Sequence, residues 1–200
     1  GYEKHLNKHT VIHITFNDLP RRCNSYEQYI DRIEEILITD LKREYPDILI
    51  NEQQALWDIL LEIHAEKPEE KFIFVFDEWD FILHQKFVNQ QDKALYLSFL
   101  RNLLKDRPYI SLVYMTGILP IKKYNSESAL NNFYEYTMLQ PGKLAQYIGF
   151  TEDEVKNLCE EYDMDYGQAM EWYDGYSFRR VHHICGPNSV VKAMLEEEYA

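Results

Sequence analysis

The chain has 200 residues, 46% hydrophobic and 28% charged, with 7 Gly, 7 Pro and 3 Cys. A chain of this length forms one domain, or one with a small appendage. It buries roughly 70% of its unfolded surface and so folds without disulfides or metal, and its composition excludes collagen-like, linker-type and wholly disordered chains. Asp and Glu number 34 against 21 Lys and Arg, and this net charge of −13 excludes broad nonspecific nucleic-acid binding unless a local basic patch overrides it.

Residues 9–16 read HTVIHITF, and Val11, Ile12, Ile14 and Phe16 predict a strand with His9 and His13 on its surface. A polar turn with Pro20 leads to Ser25, which pairs with Gln28 as a capping box. Tyr26, Tyr29, Ile30, Ile33, Leu37 and Leu41 then repeat at three and four, one apolar helix face that Pro46 ends. Asn51 with Gln54 repeats the capping signal before a helix carrying Leu56, Ile59, Leu60 and Ile63, closed near Pro68.

Residues 72–76 read FIFVF, apolar at every position, which predicts a strand of a parallel sheet buried on both faces by helices. The run ends abruptly in Asp77-Glu78-Trp79-Asp80. Asp92 is expected to cap a helix carrying Leu95, Phe99, Leu100, Leu103 and Leu104, and residues 109–116 (YISLVYMT) predict another strand, ended by Gly117. Strand, helices, strand, helix, strand is the pattern of an α/β domain with a parallel sheet. From about residue 150 the character turns helical. Thr151 with Glu154 forms a third capping box, a short helix is expected over 165–173, and a last one from about Asn188 into Tyr199.

The five residues 72–76 are the longest clean apolar run, too short to span a membrane, and no charged-then-apolar leader opens the sequence. Cys23, Cys159 and Cys185 stand far apart without a CxxC, which suits reduced thiols and a cytoplasmic location. The first residues are Gly-Tyr rather than Met, and we expect a piece of a longer protein.

The sharpest chemical feature is the apolar strand running into Asp77-Glu78. In open parallel sheets ligands bind at the carboxyl ends of the strands. Four apolar residues followed by Asp-Glu match the Walker B pattern of P-loop ATPases. There the first acid holds a nucleotide-bound magnesium and the second orients the attacking water. They equally match an ordinary strand-end turn whose acids are solvated or cap the next helix. Thr116 closes the next strand, where that class keeps a polar residue that senses the terminal phosphate; Thr-Gly at a strand end is also simply a turn.

The segments FIFVFDEWD, LVYMTGILPIKKY, SALNNF, GFTEDEV, WYDGYSF and PNSVVKAM, in that order, resemble the AAA-ATPase-like family of bacterial proteins over nearly the whole chain. The resemblance implies a partial P-loop NTPase parallel sheet with flanking helices over residues 1–149, followed by a small helical lid over 150–200. It implies ATP and magnesium as ligands of the intact protein. Asp77 takes the metal-side acid position, Glu78 the catalytic acid position and Thr116 the sensor position. Longer members often carry a PD-(D/E)XK nuclease-like domain after this region.

The departures carry as much weight. The family's phosphate loop, G-x-x-x-x-G-K-[ST], is absent, and the one Gly-Lys pair, Gly142-Lys143, has Pro before it and Leu after it. Without that cradle of amides and its lysine, nothing holds the β and γ phosphates, so these residues alone are not expected to be nucleotide-competent. Cys185-Gly186-Pro187 also stands where the family has Tyr-Asn-Pro. The loop's strand would flank the sensor strand, so its absence leaves an apolar edge with unpaired amides. We expect that edge to be closed by a second copy of the chain, by a strand over residues 134–139, or by a rearranged helix.

The remaining features read plainly. His182, His183 and Cys185 are three metal-ligand types with no fourth. Trp79 suits packing more than stacking on a base. Trp172, Tyr173 and Tyr176 around Asp174-Gly175 read as a structural corner first. Arg21-Arg22, Lys122-Lys123 and Arg179-Arg180 are small basic clusters; Arg179 and Arg180 could reach a phosphate from the lid, but two exposed arginines are more often a solvated face. The leading expectation is therefore a fragment of an ATPase. The alternative is a nonenzymatic regulatory or protein-interaction module whose acids serve structure, with no direct contact to nucleic acid in either case.

Overall fold

The computed structural model describes residues 2–118, 120, 133–137, 139–178 and 181–199. Lys122, Lys123, Arg179 and Arg180 lie outside the described residues. The chain divides into two compact units, Gly1–Phe133 and Tyr134–Ala200.

The first unit is mixed α/β. After a short helix α1 (Tyr2–His5) come β1 (Thr10–Thr15), α2 (Tyr26–Glu44), α3 (Leu56–Glu66), β2 (Phe72–Asp77), a 3-10 turn at Phe81–His84, α4 (Gln90–Leu104) and β3 (Ile110–Met115). The three strands form one parallel sheet in the order β1-β2-β3, with Ile12 opposite Phe74 and Phe74 opposite Val113. Each strand is followed by helix before the next, as the sequence pattern predicts.

Local signals account for most boundaries. Ser25 accepts from Gln28 N and starts α2, while Gln28 reaches back to Asn24 N at 3.1 Å. Two capping expectations are corrected. Asn51 caps no helix: its side chain accepts from Gln53 N in a local turn, and α3 starts four residues later from Ala55 without a side-chain cap. Asp92 is not the cap of α4 but the third helical residue of a capping box whose cap is Asn89. An acidic side chain serves either position, which is why the sequence alone misplaced the start by three residues.

The core lies on one face of the sheet. Phe72, Phe74 and Phe76 of β2 are fully buried with Ile12, Ile14 and Phe16, against Tyr29, Leu37 and Leu41 of α2, Leu60 and Ile63 of α3, and Leu100 and Leu103 of α4. Phe76 meets Phe16 edge-on at 5.1 Å between ring centroids and Phe74 at 5.7 Å. The expectation of two covered faces is corrected. Ile73 and Val75 are only half-buried, and their neighbours Val11, Leu112 and Tyr114 are exposed. The reason is topological: strands laid down in the order 1-2-3 through right-handed crossovers place every connecting helix on the same side.

The outer edge of β3 pairs with no strand among the described residues. The strand expected over 134–139 is not formed there; its described residues make only an isolated bridge, Thr137 to Gln140.

The second unit packs α5 (Glu152–Glu161), α6 (Tyr166–Tyr173) and α7 (Pro187–Glu196) around Val155, Cys159, Ala169, Cys185, Val190 and Met194. Thr151 and Glu154 make the expected reciprocal cap of α5, and Asp165 caps α6. The aromatic stretch after α6 does not stay helical: β4 (Asp174–Tyr176) pairs antiparallel with β5 (Ile184–Cys185). Among the described residues no helix is long and apolar enough to cross a membrane.

Candidate functional site at the carboxyl end of the sheet

The acids singled out by sequence sit where β2 ends. Asp77 is its last residue and is exposed; Glu78 follows it and is half-buried. The backbone of Glu78 is left-handed, with φ of 52°. A non-glycine residue held there costs about 1 kcal/mol or more, so the turn must be fixed by its neighbours.

Those neighbours come from the end of β3. Thr116 is a hub: its hydroxyl donates to Asp77 Oδ1 and accepts from Glu78 N at 3.4 Å. Its carbonyl accepts from Trp79 N at 3.0 Å, and its own N–H donates to Phe76 O at 2.8 Å. The end of β1 is tied in by Phe16 N, which donates to Asp77 O at 2.9 Å. The structure thus brings Asp77, Glu78 and Thr116 together at one end of two adjacent parallel strands.

A residue that sequence reasoning passed over holds this end rigid. Asp80 is 1% exposed. Its Oδ1 accepts from Ile118 N at 3.2 Å, and its Oδ2 lies 3.5 Å from Nε2 of the half-exposed His84. A buried carboxylate is tolerated because such partners replace water. Gly117 fits between the two loops for steric reasons: a Cβ there would stand 2.6 Å from both Asp80 Oδ1 and Trp79 Nε1. From below, the fully buried Tyr96 donates its hydroxyl to Trp79 O at 2.6 Å. The available signal for Asp80 was its setting, an acid between Trp79 and the apolar run Phe81-Ile82-Leu83.

Trp79 is 3% exposed and packs into the core, so its indole is not presented to a base. His182, His183 and Cys185 do not converge. Cys185 is buried, and burial pushes its thiol pKa up, while His183 pairs with Asp174 at 2.9 Å, which raises its pKa. Among the described residues no three His, Cys, Asp or Glu side chains are grouped to hold a metal by themselves.

Neither of two hollows is lined by these acids. One of about 240 Å³ opens at the amino end of the sheet, lined by Lys8, His9, Thr10, Glu70 and Ser111 among others. One of about 400 Å³ lies in the second unit, between Leu139, Pro141, Lys143, Ala145 and Phe178.

What the strand-end arrangement can do is limited and specific. It offers hard oxygen donors, the Asp77 carboxylate and the Thr116 hydroxyl, bonded to each other beside Glu78, whose backbone N–H is held by the same hydroxyl. Such donors suit magnesium when further oxygens come from water or a phosphate. Compared with family models, with curated proteins and with solved structures, the chain matches none.

Proposed function

We propose that the chain is the Walker B half of an ATPase of the AAA-ATPase-like kind. Its phosphate loop would be supplied by a segment outside these 200 residues. The observation that carries this reading is the bond between Thr116 and the exposed Asp77 at the carboxyl end of neighbouring parallel strands. The strand order β1-β2-β3 supports it, since it puts the acid-bearing strand beside the strand with the polar terminus.

The residues present fit one end of a magnesium–nucleotide. Asp77 would hold the metal, directly or through water, and Thr116 keeps the carboxylate aimed by donating to it. Glu78 would accept a proton from, and orient, the attacking water. Bound magnesium would supply charge neutralisation of the phosphates. The other end of the nucleotide finds no amide cradle in the sequence, so these residues alone should bind ATP poorly. A downstream nuclease-like domain and a cytoplasmic location belong to the same proposal.

The test is hydrolysis by a polypeptide that joins these residues to a phosphate loop. Replacing Glu78 by Gln should lower turnover by about a hundredfold or more while ATP binding persists, as expected on removing a general base. Unchanged turnover would remove Glu78 from the reaction. A second reading, a nonenzymatic interaction module, is favoured by one observation: the sheet keeps an open apolar face. A gene in which no phosphate loop accompanies this region would support it.

A further inference from the structure

Two histidines stand together at the amino end of the sheet, away from the carboxyl-end acids. His5 closes α1, and His9 immediately precedes β1. The turn between them is tight: Leu6 N donates to Tyr2 O at 3.0 Å, Lys8 N donates to His5 O at 3.3 Å, and Asn7 takes a left-handed φ of 53°. Asparagine adopts that conformation more readily than most side chains. The chain therefore doubles back, and the two rings stack with centroids 5.2 Å apart and planes 24° from parallel. His5 Nδ1 then faces His9 Nε2 at 2.9 Å. A single proton bridges such a pair, with one nitrogen donating and the other presenting its lone pair. Both rings are exposed, and neither outer nitrogen has a partner among the described residues. Each ring is therefore free to carry its proton on the outer nitrogen, in water, and to turn its inner lone pair to one shared cation.

We propose that His5 and His9 form a two-histidine chelate for a late first-row divalent cation, of the nickel(II) and copper(II) kind, with water in its remaining positions. The separation is that of neighbouring ligands. Nitrogens about 2.05 Å from one ion stand about 2.9 Å apart when their bonds meet at a right angle, and about 3.3 Å apart in a tetrahedron. A right angle suits the tetragonal and octahedral geometries of copper(II) and nickel(II), and imidazole is a ligand that both accept. Local charge does not oppose the cation: the hollow beside His9 is lined by Lys8 and Lys71 against Glu69 and Glu70, two cations balanced by two carboxylates. Because the two rings belong to different elements, a bound ion would tie α1 to the first strand. Magnesium prefers oxygen donors, so this site is chemically separate from the one at Asp77 and does not rest on nucleotide chemistry.

The test is titration of the full chain, its terminal amine blocked, with nickel(II), read by calorimetry and by the imidazole resonances in NMR. One ion should bind per chain, and paramagnetic nickel should broaden the ring resonances of His5 and His9 before those of His13, His182 and His183. His5→Ala and, separately, His9→Ala should each weaken binding at least about tenfold, because a chelate then loses its second donor. His13→Ala, exposed two residues into the same sheet face from Val11, should leave binding unchanged, and excess magnesium should not displace the ion. Thermal melts of each variant establish that it is folded; because the two rings are exposed and lie on different elements, either variant suffices. No binding, binding that survives both alanine replacements, broadening centred on His13 or on the second unit, or displacement by magnesium overturns the proposal.

Discussion

The two ends of β2 both carry carboxylates, and the protein treats them differently. Just before the strand begins, Glu70 accepts from the hydroxyl of Thr10 on β1 and from Tyr45 at the end of α2, the latter at 2.8 Å. These bonds, the one from Thr10 foremost, lower its pKa. Its carboxylate is consumed in joining a helix to the sheet. Where the strand ends, Asp77 is exposed and accepts from Thr116, and neither it nor Glu78 has an ion pair among the described residues. The tight packing here lies behind the acids, in Trp79, Asp80, Tyr96 and Gly117. The acid before the strand is spent on the fold, whereas the acid at its end is exposed on a rigid mount, as the proposed ligand role requires.

The sharpest way to break that contrast is to disturb the mount. Gly117→Ala forces a Cβ against Asp80 and Trp79, and should cost about 1–3 kcal/mol in denaturant unfolding. A neutral result would mean the two loops are not locked together. Next is the amino end. Because Glu70 is more acidic in the folded chain, its contribution to stability is complete above the ordinary carboxylate value of 4.5 and fades as pH falls through its lowered folded value. The stability advantage of the native chain over Glu70→Gln should therefore hold near neutrality and shrink as pH is lowered below 4.5. A difference independent of pH would show that the carboxylate charge is not what Thr10 and Tyr45 hold. The smallest effect is expected at the presented acid: Asp77→Asn should change stability by no more than about 0.5 kcal/mol, as for an exposed position. A loss of several times that would make Asp77 a structural acid like Glu70.

The sequence was most legible where one local signal decided the outcome. Ser25, Thr151 and Asp165 start helices where their side chains accept backbone amides, and the apolar period of α2 matches its buried residues. FIFVF gave a parallel strand correctly but not its environment, because an all-apolar run does not say which elements of the fold reach each face. Asn51 misled because a short polar side chain bonds its own turn as readily as a helix amide. The pattern placed Asp77, Glu78 and Thr116 at strand ends, as the structure has them, whereas their mutual bonding depends on the β2–β3 register, which no local spacing encodes. Asp80 was missed for the same reason: its partner at Ile118 is 38 residues away. The pairing of β4 with β5 escaped because strands of three and two residues carry too little periodicity to be read.

The central claim is that the Asp77 end of β2, and not the Glu70 end, faces a metal-bound nucleotide. Manganese(II), a paramagnetic stand-in for magnesium, tests it directly in a polypeptide that includes a phosphate loop. With ATP present, substoichiometric manganese should broaden the amide resonances of Asp77, Glu78 and Thr116 first, and Asp77→Asn should abolish that broadening. Broadening centred on Glu69 and Glu70, or broadening at Asp77 that survives Asp77→Asn, would contradict it.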